Sequence, residues 1–482
     1  MSAIEPLPAG LAELGRVHFV GVGGVGMSAV ARVLLARGVP VSGTDAKDLP
    51  VMADLAGLGA RIAVGYAAVN VGDADTVVRG SAIRPDNPEV VEATARGLRI
   101  LHRSEALAAA MEGDRVIAVA GTHGKTTTTS MSTWMLRGAG LDPSFAIGAN
   151  VPALGVNAAA GETDVFVAEA DESDASFLNY RPSTEIITNV EADHLDHYGT
   201  AAAVHAAFDA FAALLPPEGL LLACADDPGA RGVAERLGKR ENAPRVLLYG
   251  TAADADVRVR FDPSGSELMW AGRSYPLHLQ VPGLHNALNA AAAFAAAVDA
   301  GADPERAAES MADFSGAARR FEFKGEVDGV RVFDDYAHHP TEVRAALAAA
   351  RAVAGGHHVH VLFQPHLFSR TREFAAEFAQ ALAEADTVRV MDIYPAREDP
   401  IPGVTSELVT ANLPSGAYAP SPAAAVADLA DAARSGDIIL TVGAGDVTFE
   451  GAAILAVLGT RSAEAASSEP LAPFASEAPH DS

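Results

Sequence analysis

Two kinds of segment alternate along the chain. Short runs of apolar and β-branched residues at Val17–Val20, Val116–Val119, Asp164–Ala168, Glu185–Thr188, Val330–Phe333, Val359–Phe363, Thr387–Met391 and Ile438–Val442 have the length and composition of strands. Longer stretches, such as Met27–Arg37, read as helices. The segments group into three α/β blocks, opening near Val17, Val116 and Val330. Strands alternating with helices predict parallel sheets joined by right-handed crossovers. No repeat of solenoid length interrupts the pattern.

Length and composition add limits. A chain of 482 residues exceeds one ordinary core, so two to four domains are expected. The apolar runs, Ala290–Val298 among them, fall short of the ~20 residues of a membrane helix. The N-terminus lacks the layout of a signal peptide, and the single cysteine, Cys224, leaves no internal disulfide. The expected location is the cytoplasm. A net charge of −27 disfavours nucleic acid as a partner. An anionic ligand must therefore be met locally, by backbone amides at helix starts. With four lysines against 31 arginines, each lysine is a residue to place. From about Arg461 the chain is rich in Ala, Ser, Glu and Pro without periodicity, which predicts a disordered tail over 461–482.

Two glycine loops follow predicted strands and open helices. Gly21-Val-Gly23-Gly24-Val-Gly26 fits the dinucleotide spacing, and Asp45 stands 19 residues past Gly26, near where a ribose-binding acid is kept. By itself this loop fits a dinucleotide, another diphosphate or a purely structural turn. The rest of the chain has no evident hydride-transfer constellation. It has instead a second loop, Gly121-Thr122-His123-Gly124-Lys125-Thr126-Thr127. Its chemistry is that of a phosphate loop: amides cradle phosphates, Lys125 reaches the terminal ones, and a hydroxyl of Thr126 or Thr127 meets Mg²⁺. Val119 stands where the standard pattern has glycine, so the loop is a variant. Mg²⁺ takes oxygen ligands and keeps several waters, so one or two carboxylates suffice. Two clusters offer them, Glu169-Ala-Asp171-Glu172-Ser-Asp174 and Asn189-Val-Glu191-Ala-Asp193-His194, each at a strand end and expected on the same sheet edge as the second loop.

These motifs, with Pro282-Gly-Leu-His285-Asn286-Ala-Leu-Asn289, Arg319-Arg320-Phe321, Asp334-Asp335-Tyr336-Ala-His338-His339-Pro340, Gln364-Pro-His366 and Gly443-Ala-Gly-Asp446, resemble the Mur ligases from about residue 15 to 459. The loop Gly21–Gly26 followed by Met27-Ser28 is similar to that of the alanine-adding branch. The resemblance implies an α/β protein of three domains. These are an N-terminal Rossmann-like domain for the UDP substrate (1–113), a central P-loop ATPase-type parallel sheet (114–321) and a C-terminal Rossmann-like domain for the amino acid (322–460). It implies ATP-dependent ligation of L-alanine to the lactyl carboxylate of UDP-N-acetylmuramate through an acyl phosphate, with Mg²⁺.

Carried over position by position, Gly21, Gly23, Gly24, Gly26, Met27, Asp45 and Ser81 would hold the UDP portion. Gly121–Thr127 would hold the ATP phosphates, with Lys125 central. Thr126 and Glu169 would bind one Mg²⁺ and His194 a second. Asn286 and Asn289 would approach the adenine, and Arg320 and Asp335 would also serve ATP. Tyr336, His338 and Arg370 would face the amino acid. Several of these positions also have plainer readings: a helix cap for Asn286 and Asn289, a loop hydroxyl for Ser81, a turn for His338. The chain departs from the family pattern in carrying Leu367 where an arginine often follows His366. It also lacks any lysine from Leu195 to Gly238, which agrees with the alanine-adding branch, since other members use a carbamoylated lysine there.

Overall fold

The computed structural model describes residues 10–468 apart from Pro263, Ser264 and Arg397. It divides into two compact units, Met1–Ala318 and Arg319–Ser482. Three sheets correspond to the three sequence blocks.

The first unit opens with a five-stranded, all-parallel sheet. Its spatial order is Arg61–Val64, Val41–Asp45, Val17–Val20, Thr76–Arg79 and Arg99–His102. The order reverses at Val17–Val20, so its carboxyl end opens beside the crevice where α/β sheets bind ligands. The second sheet has ten strands, centred on Thr184–Ile187, Arg115–Ala120 and Val165–Glu169 as parallel neighbours. Both faces of these strands are covered, which is why they read as continuous apolar runs rather than alternating ones. On one side the sheet continues as the antiparallel strands Val257–Arg260, Ser266–Trp270 and Arg273–Leu277.

The helix Lys125–Gly138 is buried although five of its first six residues carry polar side chains of Lys or Thr and the sixth is Ser. Its hydroxyls donate back to carbonyls one turn earlier: Thr129 to Lys125 at 2.8 Å, Ser130 to Thr126 at 2.7 Å, Ser132 to Thr128 at 2.8 Å and Thr133 to Thr129 at 2.9 Å. Most of the buried polarity is thereby satisfied inside the helix. The helix packs on Leu284–Asp299, whose buried face is largely alanine and lets the two backbones come close.

The second unit is a six-stranded sheet ordered Glu322–Val327, Val330–Asp335, Ile438–Val442, Val359–Phe363, Thr387–Val390 and Gly416–Tyr418. The first pair is antiparallel and the rest are parallel. Its last helix, Glu450–Ser468, runs past Arg461, where composition placed the start of a disordered tail. Residues 469–482 of that expected tail lie outside the described residues.

Candidate functional site

The first glycine loop sits where the sequence places it, at the carboxyl end of Val17–Val20 and the start of helix Val25–Ala36. Asp45 ends the neighbouring strand, and its Oδ2 accepts the amide of Gly23 at 3.0 Å. Ser81 follows the strand on the other side, so all three features share one sheet edge. Ser81 Oγ donates to Asp174 at 2.6 Å, which ties this edge to the first acidic cluster.

Arg103 is a residue the motif reading missed. It begins the helix Arg103–Ala110, and its guanidinium lies only 3.0 Å from where a side chain on Gly26 would begin. It also pairs with Asp171 at 2.5 Å. Burial would raise the Asp171 carboxyl, but Arg103 and Lys125 hold it down at about 2. One arginine thus supplies positive charge beside the first loop in a strongly acidic chain.

The second loop is built around two glycines. Gly121 has φ +141°, and a Cβ there would lie 1.9 Å from Thr188 Oγ1. Gly124 caps the helix at φ +82°, with Asn289 Oδ1 2.8 Å from the place of a Cβ. Only a residue without a side chain fits either position. The amide of His123 is fixed by Asn189 Oδ1 at 2.8 Å, and Thr122 Oγ1 accepts the amide of Glu191 at 2.9 Å. The second acidic cluster therefore shapes the loop from the adjacent strand end.

Lys125 Nζ donates to the carbonyls of Gly121 at 2.7 Å and Thr122 at 3.3 Å, and it pairs with Glu172 at 2.7 Å. Burial opposes its charge, yet the carboxylates around it, Glu172 foremost, keep its pKa above the ordinary lysine value. Glu172 is 1% exposed and also meets His194 Nε2 at 3.5 Å. His194 has φ +54°, and Asp193 Oδ1 accepts its amide at 2.7 Å. Burial lowers the His194 pKa, but hydrogen bonding to Glu172 with the charge of Asp193 outweighs this and raises it. In this state the imidazole acts as a donor.

Thr126 Oγ1 donates to Glu169 at 3.1 Å, and Glu169 also accepts the amide of Gly148 at 2.7 Å. A hydroxyl and a carboxylate side by side at a phosphate-loop helix start form the hard-oxygen donor set that suits Mg²⁺. Thr127, also buried, is the next hydroxyl along the same turn. Asn286 and Asn289 lie in the first two turns of Leu284–Asp299, both largely buried. Asn286 Nδ2 donates to the carbonyl of Pro282 at 2.8 Å, a tie to the chain just before the helix rather than a cap, while Asn289 faces Gly124.

In the second unit, Asp335, Tyr336 and His338 follow strand Val330–Asp335 at its carboxyl end. Asp335 accepts the amides of Phe321 and Ala337, both at 2.8 Å, so both its oxygens hold backbone. Burial outweighs Arg320 and those amides and lifts its carboxyl to about 6. Arg320 lies over the Tyr336 ring at 5.2 Å. Arg319 crosses the same ring at 4.7 Å and donates to the carbonyls of Gly443 at 2.5 Å and Gly445 at 3.1 Å. His338 Nδ1 meets Glu342 at 3.2 Å, and its ring stands edge-on to Tyr336 and to His366. His366 in turn stacks on Tyr394, a residue no motif had flagged. Arg370 is buried in the first turn of Phe368–Leu382. Leu367, the departure from the family pattern, caps that helix at φ +70°, a strained conformation for a branched side chain.

Comparison with known proteins gives the family. Three family models match in succession: the Mur ligase family catalytic domain over residues 16–115, the Mur ligase middle domain over 119–297, and the Mur ligase glutamate ligase domain over 319–445. The chain is 66% identical over 452 residues to the UDP-N-acetylmuramate–L-alanine ligase of Paenarthrobacter aurescens, covering 94% of this chain and 99% of that one. The crystal structure of UDP-N-acetylmuramate–alanine ligase from Thermotoga maritima is similar at 28% identity and a TM-score of 0.75, covering 92% of this chain and 99% of that one. A murein peptide ligase from Psychrobacter arcticus is similar at 26% identity and a TM-score of 0.69, with the same coverage. With all three domains matched in order and a relative this similar along almost its whole length, the chain belongs to the Mur ligase family.

Proposed function

We propose that this Mur ligase joins the amine of L-alanine to the lactyl carboxylate of UDP-N-acetylmuramate, converting ATP to ADP and phosphate, in the supply of peptidoglycan precursors. The observation that carries the reading is the pair of phosphate loops in one unit: the Gly21–Gly26 loop beside Arg103, and the Lys125 loop beside Thr126 and Glu169. Two such loops suit two phosphate-bearing substrates. The name of the P. aurescens relative supports alanine as the amine.

A carboxylate resists attack by an amine, so it must first be activated. A lactyl carboxylate oxygen attacks the γ-phosphorus of ATP and ADP leaves, giving an acyl phosphate. The amine of alanine, as its free base, then attacks the acyl carbon. The intermediate expels phosphate, which carries the attacking carboxylate oxygen away, and the new amide sheds a proton. Lys125 and the loop amides neutralise the charge that builds on the γ-phosphate. Thr126 and Glu169 would hold one Mg²⁺ and His194 a second, a cation's part here being to offset phosphate charge. For His194 to serve, the bond it donates to Glu172 must be given up. Asn289, already against Gly124, and Asn286 would border the adenine. Asp45, Ser81, Met27 and Arg103 would border the UDP portion. Arg370 would grip the alanine carboxylate, near Tyr336 and with His338, oriented by Glu342, as the base. Arg320 and Asp335 would contribute to the nucleotide side.

The test is product identity. Incubation with UDP-N-acetylmuramate, ATP, Mg²⁺ and either L-alanine or an alanyl peptide should give a mass gain of one alanine and none with the peptide. Preferential ligation of the peptide would instead make the chain a murein-peptide ligase.

A further inference from the structure

The catalytic loops of the second unit lie at the carboxyl ends of its strands. At the opposite edge, three side chains with no part in that site gather. His358 precedes strand Val359–Phe363, His360 lies within it, and Asp437 precedes the neighbouring strand Ile438–Val442. We propose that His358, His360 and Asp437 form a binding site for a transition-metal ion of the Zn²⁺ type, which clips together the two loops entering these strands.

One ring nitrogen from each histidine and one oxygen of Asp437 lie within 4.8 Å of one another. Tetrahedral ligands about 2.0–2.1 Å from a metal stand roughly 3.3 Å apart, so modest side-chain rotation closes the set. The His360–Asp437 pair is already at that spacing, with Nε2 to Oδ2 at 3.3 Å. The two histidines are two residues apart on extended backbone, which puts both rings on one face of the sheet.

The carboxylate is anchored from behind. Its oxygens accept the amides of His358 at 2.9 Å and Arg434 at 2.8 Å, as outer bonds commonly orient a metal ligand. His360 is 2% exposed and its Nδ1 has no hydrogen-bond partner, so the ring is not a fully satisfied core histidine. His358 is exposed and leaves a path for an ion to enter. The nearby cations are turned aside: Arg434 donates to the carbonyls of Asp431 and Ala433, and Arg331 to those of Val353 and Gly436.

Two imidazoles and one carboxylate favour Zn²⁺, Co²⁺, Ni²⁺ or Cu²⁺ over Mg²⁺, which prefers an all-oxygen shell. The Mg²⁺ needed with ATP would therefore leave the site to its own ion. Because the ligands come from two chain segments 77 residues apart, occupancy would stabilise this unit.

The experiment is calorimetric titration of the full chain with Zn²⁺ in excess Mg²⁺, after chelator treatment, on the wild type, His358→Ala and His358→Cys. The expected result is one Zn²⁺ per chain with micromolar or tighter affinity, weakened at least about tenfold in His358→Ala and largely kept in His358→Cys. Co²⁺ should give the visible absorption of a low-coordinate site in the wild type and lose it in His358→Ala. Since His358 is exposed, its removal leaves the fold intact. Absence of stoichiometric binding, or equal binding by His358→Ala, overturns the proposal.

Discussion

Replacing Lys125 by Met should damage the protein in two separable ways. Lys125 is the ion-pair partner of Glu172 at 2.7 Å, with the two side chains 15% and 2% exposed. Removing it leaves a buried carboxylate facing His194 and the neighbouring acids, and breaking such a pair costs about 3–5 kcal/mol. Neutralisation sets a ceiling: an ordinary glutamate takes up a proton at pH 7.5 for about 4 kcal/mol. The expected loss is therefore about 2–4 kcal/mol, reduced by whatever charge His194 returns. Both tryptophans, Trp134 and Trp270, lie in the domain of this pair, so their fluorescence in urea follows its unfolding. Adding Glu172→Gln to Lys125→Met removes the stranded charge and should restore at least half of the loss. Turnover should stay abolished in both variants, because the lysine that meets the phosphates is missing from each. Calorimetry should show UDP-N-acetylmuramate bound as before, since its loop belongs to the other sheet. Unfolding of Lys125→Met like wild type, or a double variant that regains no stability, would refute the stranded-charge effect.

Three further substitutions probe the second loop, the first loop and the sheet core. Gly124→Ala must adopt φ +82° and place a Cβ 2.8 Å from Asn289 Oδ1. It should raise the KM for ATP and lower kcat/KM at least about tenfold, the backbone strain alone being worth roughly 1–2 kcal/mol; unchanged steady-state kinetics would count against it. Arg103→Met should raise the KM for UDP-N-acetylmuramate by about 10- to 200-fold, or ~1.5–3 kcal/mol for a charged hydrogen bond, with little change for ATP. A change confined to ATP would remove Arg103 from the sugar-nucleotide side. Glu185 is fully buried, neither of its oxygens has a partner, and burial raises its pKa well above the ordinary value. Its proton stabilises the fold below the unfolded pKa near 4.3, and that contribution is lost as pH rises toward the folded pKa. Glu185→Gln should therefore gain on wild type by up to about 1.4 kcal/mol per pH unit over that window, and a pH-independent difference would refute the assignment.

What was legible in the sequence was local. Both glycine loops occupy a strand end and a helix start because glycine, strand and helix signals all fall within about ten residues. The two acidic clusters could be placed on the Lys125 edge because parallel strands put their carboxyl ends together. What was not legible depends on partners distant in sequence. Arg103 reads as an ordinary helix-start arginine until Asp171, 68 residues on, and Gly26 are folded against it. Glu172 looked like one acid among four, and only burial beside Lys125 and His194 singles it out. The antiparallel strands at 257–277 lie outside the βα alternation that the pattern reading followed. Tyr394 carries no local signal at all, its place being set by stacking on His366. Between Arg461 and Ser468 a helix stands where disorder was expected, because Ala-rich composition also favours helix.

In the proposed route the lactyl carboxylate is phosphorylated before the amine attacks. A heavy-oxygen label placed in the carboxylate of UDP-N-acetylmuramate, followed through one round of turnover with ATP and L-alanine, reports that order. One labelled oxygen should appear in each phosphate released, with the other kept in the amide carbonyl. Phosphate free of label would mean that the carboxylate oxygen never joined phosphorus, and would contradict the acyl-phosphate route.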